Sequence, residues 1–216
     1  MSLAVAAATP DVDEIVRRHL TAIGGAARWQ SIDSLVVRGA GEYGNFTWVW
    51  KRPGKMRTEE RERDGAVPLV TAYDGSVGWQ TNPFRSGAPK KLGAPELQRW
   101  QSGVAIRSDL LDLKGATLSL VGREKVAGRD AYKLSLEHPG RGDVFLWIDA
   151  ESYLLVQRAR TAAAPWGEVK TVPTPLRDYR NVNGVMIPHL IGGTKLVTEV
   201  NAAIDDALFA PPQTLR

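Results

Sequence analysis

The chain contains no cysteine, which removes disulfides, thiolate metal sites, cysteine nucleophiles and a lipid-modified N-terminal cysteine from its chemistry. Histidine is scarce as well, with three in 216 residues: His19, His138 and His189. None stands two or four residues from another ligand type in the manner of a zinc helix, so no metal site is expected. No run of about 18 apolar residues occurs, so nothing reads as a membrane-spanning helix. Charge of one sign is missing too. The net charge of +4 and pI of about 9.4 would by themselves fit a nucleic-acid or anionic-lipid partner. Basic and acidic residues nevertheless alternate, as in Arg57-Thr58-Glu59-Glu60-Arg61-Glu62-Arg63. That is the pattern of a solvated strand face rather than a phosphate track, and nucleic acid is not expected as a partner.

What is present is ordinary globular material, 43% hydrophobic and 24% charged. A domain of this size buries roughly 70% of the surface of its unfolded chain. Met1-Ser2-Leu3 reads as a cloning remnant, and Ala4-Val5-Ala6-Ala7-Ala8 resembles the small-residue tail of a removed export signal. Residues 1–10 are therefore expected to be a disordered remnant, and 11–216 one domain.

Asp11 and Glu14 stand at capping-box spacing, with Thr9-Pro10 as an alternative start. Val12, Ile15, Val16, His19, Leu20 and Ile23 form an apolar stripe that Gly24-Gly25 ends. The period then changes to two. Residues 35–43, 46–52, 55–63 and 68–73 read as strands, with Gly44-Asn45, Pro53-Gly54 and Asp64-Gly65 as turns. A short strand around Trp79 follows Asp74-Gly75, and residues 84–92 read as a loop. Connections this short force antiparallel neighbours. From Pro95 a helical region carries Leu97, Trp100, Val104 and Leu111, widened by Ile106, Leu110 and Leu113, with Gly103 a candidate break. Strands return at 118–123, 131–137, 143–148, 153–160, 168–179 and 185–200, the last broken near Gly192-Gly193. The pattern predicts a mostly antiparallel α+β domain of ten or eleven strands. A sheet this long curls, giving a strongly curved sheet or incomplete β-barrel with helices covering its concave face.

Apparent catalytic motifs fail on context. Gly39-Ala40-Gly41-Glu42-Tyr43-Gly44 has dinucleotide spacing but runs into an alternating strand instead of a helix, so its glycines are expected to relieve crowding. Gly75-Ser76-Val77-Gly78 lacks the spacing and the strand-to-helix turn of a nucleophile elbow. Glu59 and Glu60, adjacent on a strand, point to opposite faces and cannot pair as acid and base. Neither a catalytic residue nor a cofactor is expected.

Tryptophan is the unusual abundance, seven against four phenylalanines. Phe46, Trp48 and Trp50 alternate on one strand and share a face, with Thr47, Val49 and Lys51 pointing outward. An aromatic core explains any one ring, yet three on one strand are hard to pack densely, and wide aromatic walls are typical of ligand cavities.

The segment Tyr73-Asp74-Gly75-Ser76-Val77-Gly78-Trp79-Gln80-Thr81-Asn82-Pro83 resembles one found in bacterial outer-membrane lipoprotein-sorting proteins, the LolA/LolB-like family. Similar stretches are Lys51-Arg52-Pro53-Gly54-Lys55-Met56-Arg57, Gly128-Arg129-Asp130-Ala131-Tyr132-Lys133-Leu134, Leu146-Trp147-Ile148-Asp149-Ala150-Glu151 and residues 178–189 and 199–201. The resemblance implies an unclosed antiparallel β-barrel with helices and an apolar cavity. It also implies a periplasmic chaperone that receives lipoprotein acyl chains from one membrane-bound protein and delivers them to another. A gating arginine of that family has three candidates here, Arg38, Arg52 and Arg57.

The leading expectation is thus a non-enzymatic periplasmic carrier of lipoprotein acyl chains or other lipids. Its cavity residues would be Phe46, Trp48, Trp50, Tyr73, Trp79, Leu134, Leu136, Leu146, Ile148 and Leu196, beneath cover helices carrying Trp100, Val104 and Leu110. The rivals are a sensor or structural module that binds a protein or peptide, and a hydrolase whose carboxylates come from distant strands.

Overall fold

The structure, a computed structural model, describes residues 10–41, 44–62, 65, 67–103, 107–138, 142–163 and 169–213. In chain order the elements are α1 (Val12–Ala22), α2 (Ala26–Gln30), β1 (Ser34–Gly41), β2 (Gly44–Lys51), β3 (Lys55–Glu62), β4 (Leu69–Tyr73), β5 (Gly78–Thr81), β6 (Lys90–Lys91) and α3 (Ala94–Gly103). A 3-10 turn (Asp109–Leu111) precedes β7 (Thr117–Val126), β8 (Arg129–His138), β9 (Gly142–Asp149), β10 (Leu155–Ala163), β11 (Val169–Val182), β12 (Val185–Ile191) and β13 (Thr194–Val200), and a second 3-10 turn (Asp206–Phe209) follows. By its contacts the chain divides into two compact units. The first is the chain up to Ile23 with Asp109–Thr174, and the second is Gly24–Ser108 with the chain from Pro175.

In the first unit the hydrogen-bonded order is β10-β9-β8-β7. Alternation gives each strand two faces, and the register decides which residues share one. Leu134 lies opposite Leu146, Leu136 opposite Val144, and Tyr132 opposite Ile148, so these six stand together. A bulge between Leu155 and Gln157 re-aims β10, so that Arg158 and Arg160 join that face opposite Leu146 and Val144. Ala131, Trp147 and Ala159 form a smaller cluster on the other face. Helix α1 starts as its sequence predicts, with the Asp11 side chain accepting from the Glu14 amide at 2.8 Å. It packs against β7 and the first 3-10 turn. Ile15 and His19 on its stripe are fully buried, and His19 Nδ1 lies 2.8 Å from the Tyr153 carbonyl.

In the second unit the order is β6-β5-β4-β3-β2-β1-β13-β12-β11. Among the described residues β6 pairs with a strand on one side only. Among the described residues the strands number thirteen instead of ten or eleven. Lys90–Lys91, read as loop, pairs with Trp79 and Gln80, and the glycine pair after Ile191 separates β12 from β13. The turn expected at Gly44-Asn45 also moves, because pairing continues to Gly41↔Gly44. Gly44 is needed for a different reason. Its φ is +134°, and a Cβ there would sit 2.0 Å from the Arg61 carbonyl oxygen of β3. Gly39 does relieve crowding, since the Phe46 ring of the neighbouring strand lies where its side chain would be. The helix after Pro95 is described as far as Gly103, and Leu110 and Leu111 belong to a 3-10 turn.

Candidate ligand-binding site

The register sorts the aromatic residues of the second unit. Val37, Trp48, Thr58, Thr71 and Gln80 are successive cross-strand neighbours on one face, flanked by the row Leu35, Trp50, Met56, Tyr73 and Gly78. Phe46 stands beside them opposite Gly39, and Leu196 joins from β13, also opposite Gly39. Phe46, Trp48, Trp50, Tyr73 and Leu196 therefore share a face. Helix α3 covers part of it: Leu97 Cδ1 comes within 3.0 Å of where a Gly78 side chain would begin, and Trp100 Nε1 is 3.3 Å from Thr58 Oγ1. Val104, the other cover residue of this region, lies outside the described residues.

Trp79 does not belong with them. It lies opposite Ala72, which lies opposite Arg57, and that row is on the reverse face with Val49 and Val36. The reverse face is not the open surface that alternation alone predicts. Val49 is buried with Val36 and Phe209, because the chain from Ala202 to Phe209 folds back over it. Trp79 Nε1 donates to the Phe209 carbonyl at 3.0 Å, Arg57 to the Leu208 carbonyl at 3.2 Å, and Lys51 Nζ to the Ile204 carbonyl at 2.7 Å. A cleft of about 350 Å³ remains under this strap, walled by Val36 and Val49 and by Arg38, Arg57 and Glu59. Charged walls make it a poor match for a bare hydrocarbon chain.

Leu134, Leu136, Leu146 and Ile148 are correctly placed together, but on a face of the first unit where each has 0% exposure. A side chain with no accessible surface lines no space that water can enter. Expected as cavity wall, these four are packed core, and so is Leu110 at 2%. Phe46, Trp50 and Tyr73 by contrast keep part of their surface.

The polar groups of the aromatic face are incompletely matched. Trp48 is 4% exposed and Thr198 7%, and both stand opposite Val37. The indole N–H of Trp48 and the hydroxyl of Thr198 are buried without a hydrogen-bond partner among the described residues. The Trp50 ring carries the Arg52 and Arg107 guanidiniums at 5.5 and 5.4 Å from its centroid. Of the three arginines considered for gating, Arg38 pairs with Glu199 and Arg57 with Glu59 and the strap, both on the reverse face. Arg52 donates to the Ile32 and Gln30 carbonyls. The sequence reading overlooked the pair Arg158 and Arg160 with Asp109, whose only signal is two arginines spaced by two on an otherwise apolar strand face.

No family model matches the chain, and no curated protein matches its sequence. Solved structures do. A LolA superfamily protein from Nitrosomonas europaea is 16% identical, with a TM-score of 0.52, over 94% of this chain and 98% of its own. A putative outer membrane lipoprotein-sorting domain from Vibrio parahaemolyticus is 11% identical, also with a TM-score of 0.52, over 91% and 94%. A DUF1329 family protein from Desulfovibrio piger gives 12% identity and a TM-score of 0.49 over 94% and 98%. The first two show a shared fold, at identities that bring no activity with them.

Proposed function

The chain has a LolA-like fold, and from that premise we propose that it is a non-enzymatic periplasmic carrier that holds an acyl chain of a lipoprotein or other lipid. The acyl chain lies against Phe46, Trp48 and Trp50, with α3 as cover. The observation that carries the reading is Trp48 itself, a buried indole whose N–H has no acceptor among the described residues, between rings that keep part of their surface. A finished core leaves neither feature. Membrane-bound donor and acceptor proteins are its partners in this reading, and no cofactor takes part. At ~0.8 kcal/mol per CH₂, a twelve-carbon chain leaving water gains about 10 kcal/mol. Immobilisation takes back several kcal/mol. What is left, about 6 kcal/mol, corresponds to binding in the tens of micromolar, weak enough to hand the cargo on.

Titration with a fluorescent dodecanoyl probe tests this. The parent and Trp48→Phe bind the probe, and Trp48→Glu, which puts a carboxylate into the apolar wall, loses most of the affinity. Circular dichroism confirms that each variant is folded. A parent that binds no acyl probe, or a folded Trp48→Glu that binds as well as the parent, ends the proposal.

A further inference from the structure

Arg158 and Arg160 stand two apart on β10 and project from the same face. Both converge on a single carboxylate oxygen: Asp109 Oδ1 accepts from Arg158 at 2.8 Å and from Arg160 at 3.3 Å. Among the described residues Asp109 is the one acidic partner of either. Two guanidiniums against one carboxylate leave a full positive charge uncompensated. Among the described residues the Nε–H of each arginine is moreover buried with no acceptor. The Arg158 and Asp109 side chains are 14% and 15% exposed, whereas Arg160 is 32% exposed, so the cluster is sheltered but solvent reaches its edge.

A half-buried surplus charge with two orphaned donors costs free energy. An oxyanion removes both costs at once, because it supplies the countercharge and several acceptor lone pairs to donors in fixed fork geometry. Hydrocarbon or a neutral hydroxyl cannot. We propose that Arg158 and Arg160 form an oxyanion-binding site that takes a carboxylate or phosphate group, with Asp109 as the internal occupant that competes for it. This site does not depend on the acyl-binding reading.

The full chain is titrated by calorimetry with inorganic phosphate, with laurate below its micelle concentration, and with dodecanol, which has the same chain and no charge. Binding of phosphate, or of laurate at least tenfold more tightly than dodecanol, supports the site. Phosphate alone identifies a free anion as the ligand, and laurate alone identifies an amphiphile headgroup. Arg158→Gln and Arg160→Gln each weaken the oxyanion about tenfold, as expected for loss of a charge-assisted hydrogen bond. Asp109→Asn is the decisive variant. Removing the competitor tightens oxyanion binding severalfold, a gain that damage to the fold cannot produce and that a purely structural Arg–Asp–Arg staple does not predict. Equal binding of laurate and dodecanol with no response to phosphate leaves the acyl carrier standing and overturns this site. Absence of all binding, or no tightening in Asp109→Asn, overturns it as well.

Discussion

The first unit lays Leu134, Leu136, Leu146 and Ile148 side by side and closes over them until none has accessible surface. On the aromatic face of the second unit, Phe46, Trp50 and Tyr73 remain half-buried, and the Trp48 indole N–H has no partner among the described residues. Both faces obey the same period of two. What separates them is completion. Branched aliphatic side chains interlock to crystal-like density, whereas wide rings on neighbouring positions leave gaps and polar edges. A ligand face can therefore be told from a core by the exposure its rings keep, and hydrophobicity alone does not distinguish them.

The sharpest test of that contrast is truncation. Leu146→Ala removes three heavy atoms from a site with 0% exposure and is expected to cost about 2–5 kcal/mol in urea unfolding. Trp50→Leu removes more atoms, but from a half-buried ring, and is expected to cost only about 1 kcal/mol. Equal costs would show that the aromatic face is packed as tightly as the leucine face, and the contrast between the units would fail.

Two tryptophans on opposite faces of the second unit sharpen it further. Trp79 is 4% exposed and donates to the Phe209 carbonyl. Trp79→Phe removes that bond and leaves a buried carbonyl unmatched, at a cost of about 1–3 kcal/mol. Trp48 is equally buried but its N–H has no partner among the described residues. For Trp48→Phe the relief of the orphaned donor offsets the lost ring area, and the melting free energy stays within about 1 kcal/mol of the parent. A Trp48→Phe penalty as large as that of Trp79→Phe would mean that the indole N–H has an acceptor after all.

Much of this architecture is legible in the sequence because it rests on local signals. The Asp11 cap, the alternation from Leu35 onward and the sharing of one face by Phe46, Trp48 and Trp50 follow from spacing alone. Three things do not. Trp79 reads as a partner of Tyr73, yet one residue of register separates their faces, and register is a non-local property. The covering of Val49 depends on the chain from Ala202 to Phe209, some 150 positions downstream. The leucines of β8 and β9 carry the same pattern as the aromatic strand, and only their burial tells wall from core. The oxyanion cluster is the hardest to foresee, because a bulge in β10 sets the direction of Arg158 and Arg160.

Acid exposes a further difference, now favouring instability in the first unit. His19 is fully buried on α1, and desolvation pushes its imidazole below the usual histidine range, against the smaller upward pull of the Tyr153 carbonyl. Above the unfolded pKa of about 6.5 both states are neutral and stability does not respond to this group. As pH falls below that value the unfolded chain takes up a proton that the folded chain refuses. Stability then drops by up to about 1.4 kcal/mol per pH unit until the folded pKa is reached. Melting curves between about pH 7.5 and 5 should show this loss, and His19→Gln should flatten it. An identical slope in the variant would assign the acid sensitivity to another group.

The smallest effect is expected at the strap of the second unit. Asp206 accepts from Lys51 and Lys55, each at 2.7 Å, and these two ammonium groups hold its carboxyl down to about 2. The folded pKa lies below the unfolded one, so the contribution is present above about pH 4 and is lost as pH falls through about 2. The Asp206 side chain is 59% exposed, so solvent and salt screen the pair and little global stability depends on it. The anchor that carries the strap is Phe209, with 0% exposure beside Val36 and Val49. Asp206→Asn should therefore leave the melting temperature nearly unchanged while speeding proteolytic cleavage within residues 202–208 at low salt. High salt should bring the parent close to the variant, because it weakens the same two ion pairs. Phe209→Ala, by contrast, should release the strap and lower the melting temperature together. If Asp206→Asn destabilises the chain as much as Phe209→Ala does, charge and not apolar contact holds the reverse face shut, and the distinction between a closed face and an unfinished one would need a different physical basis.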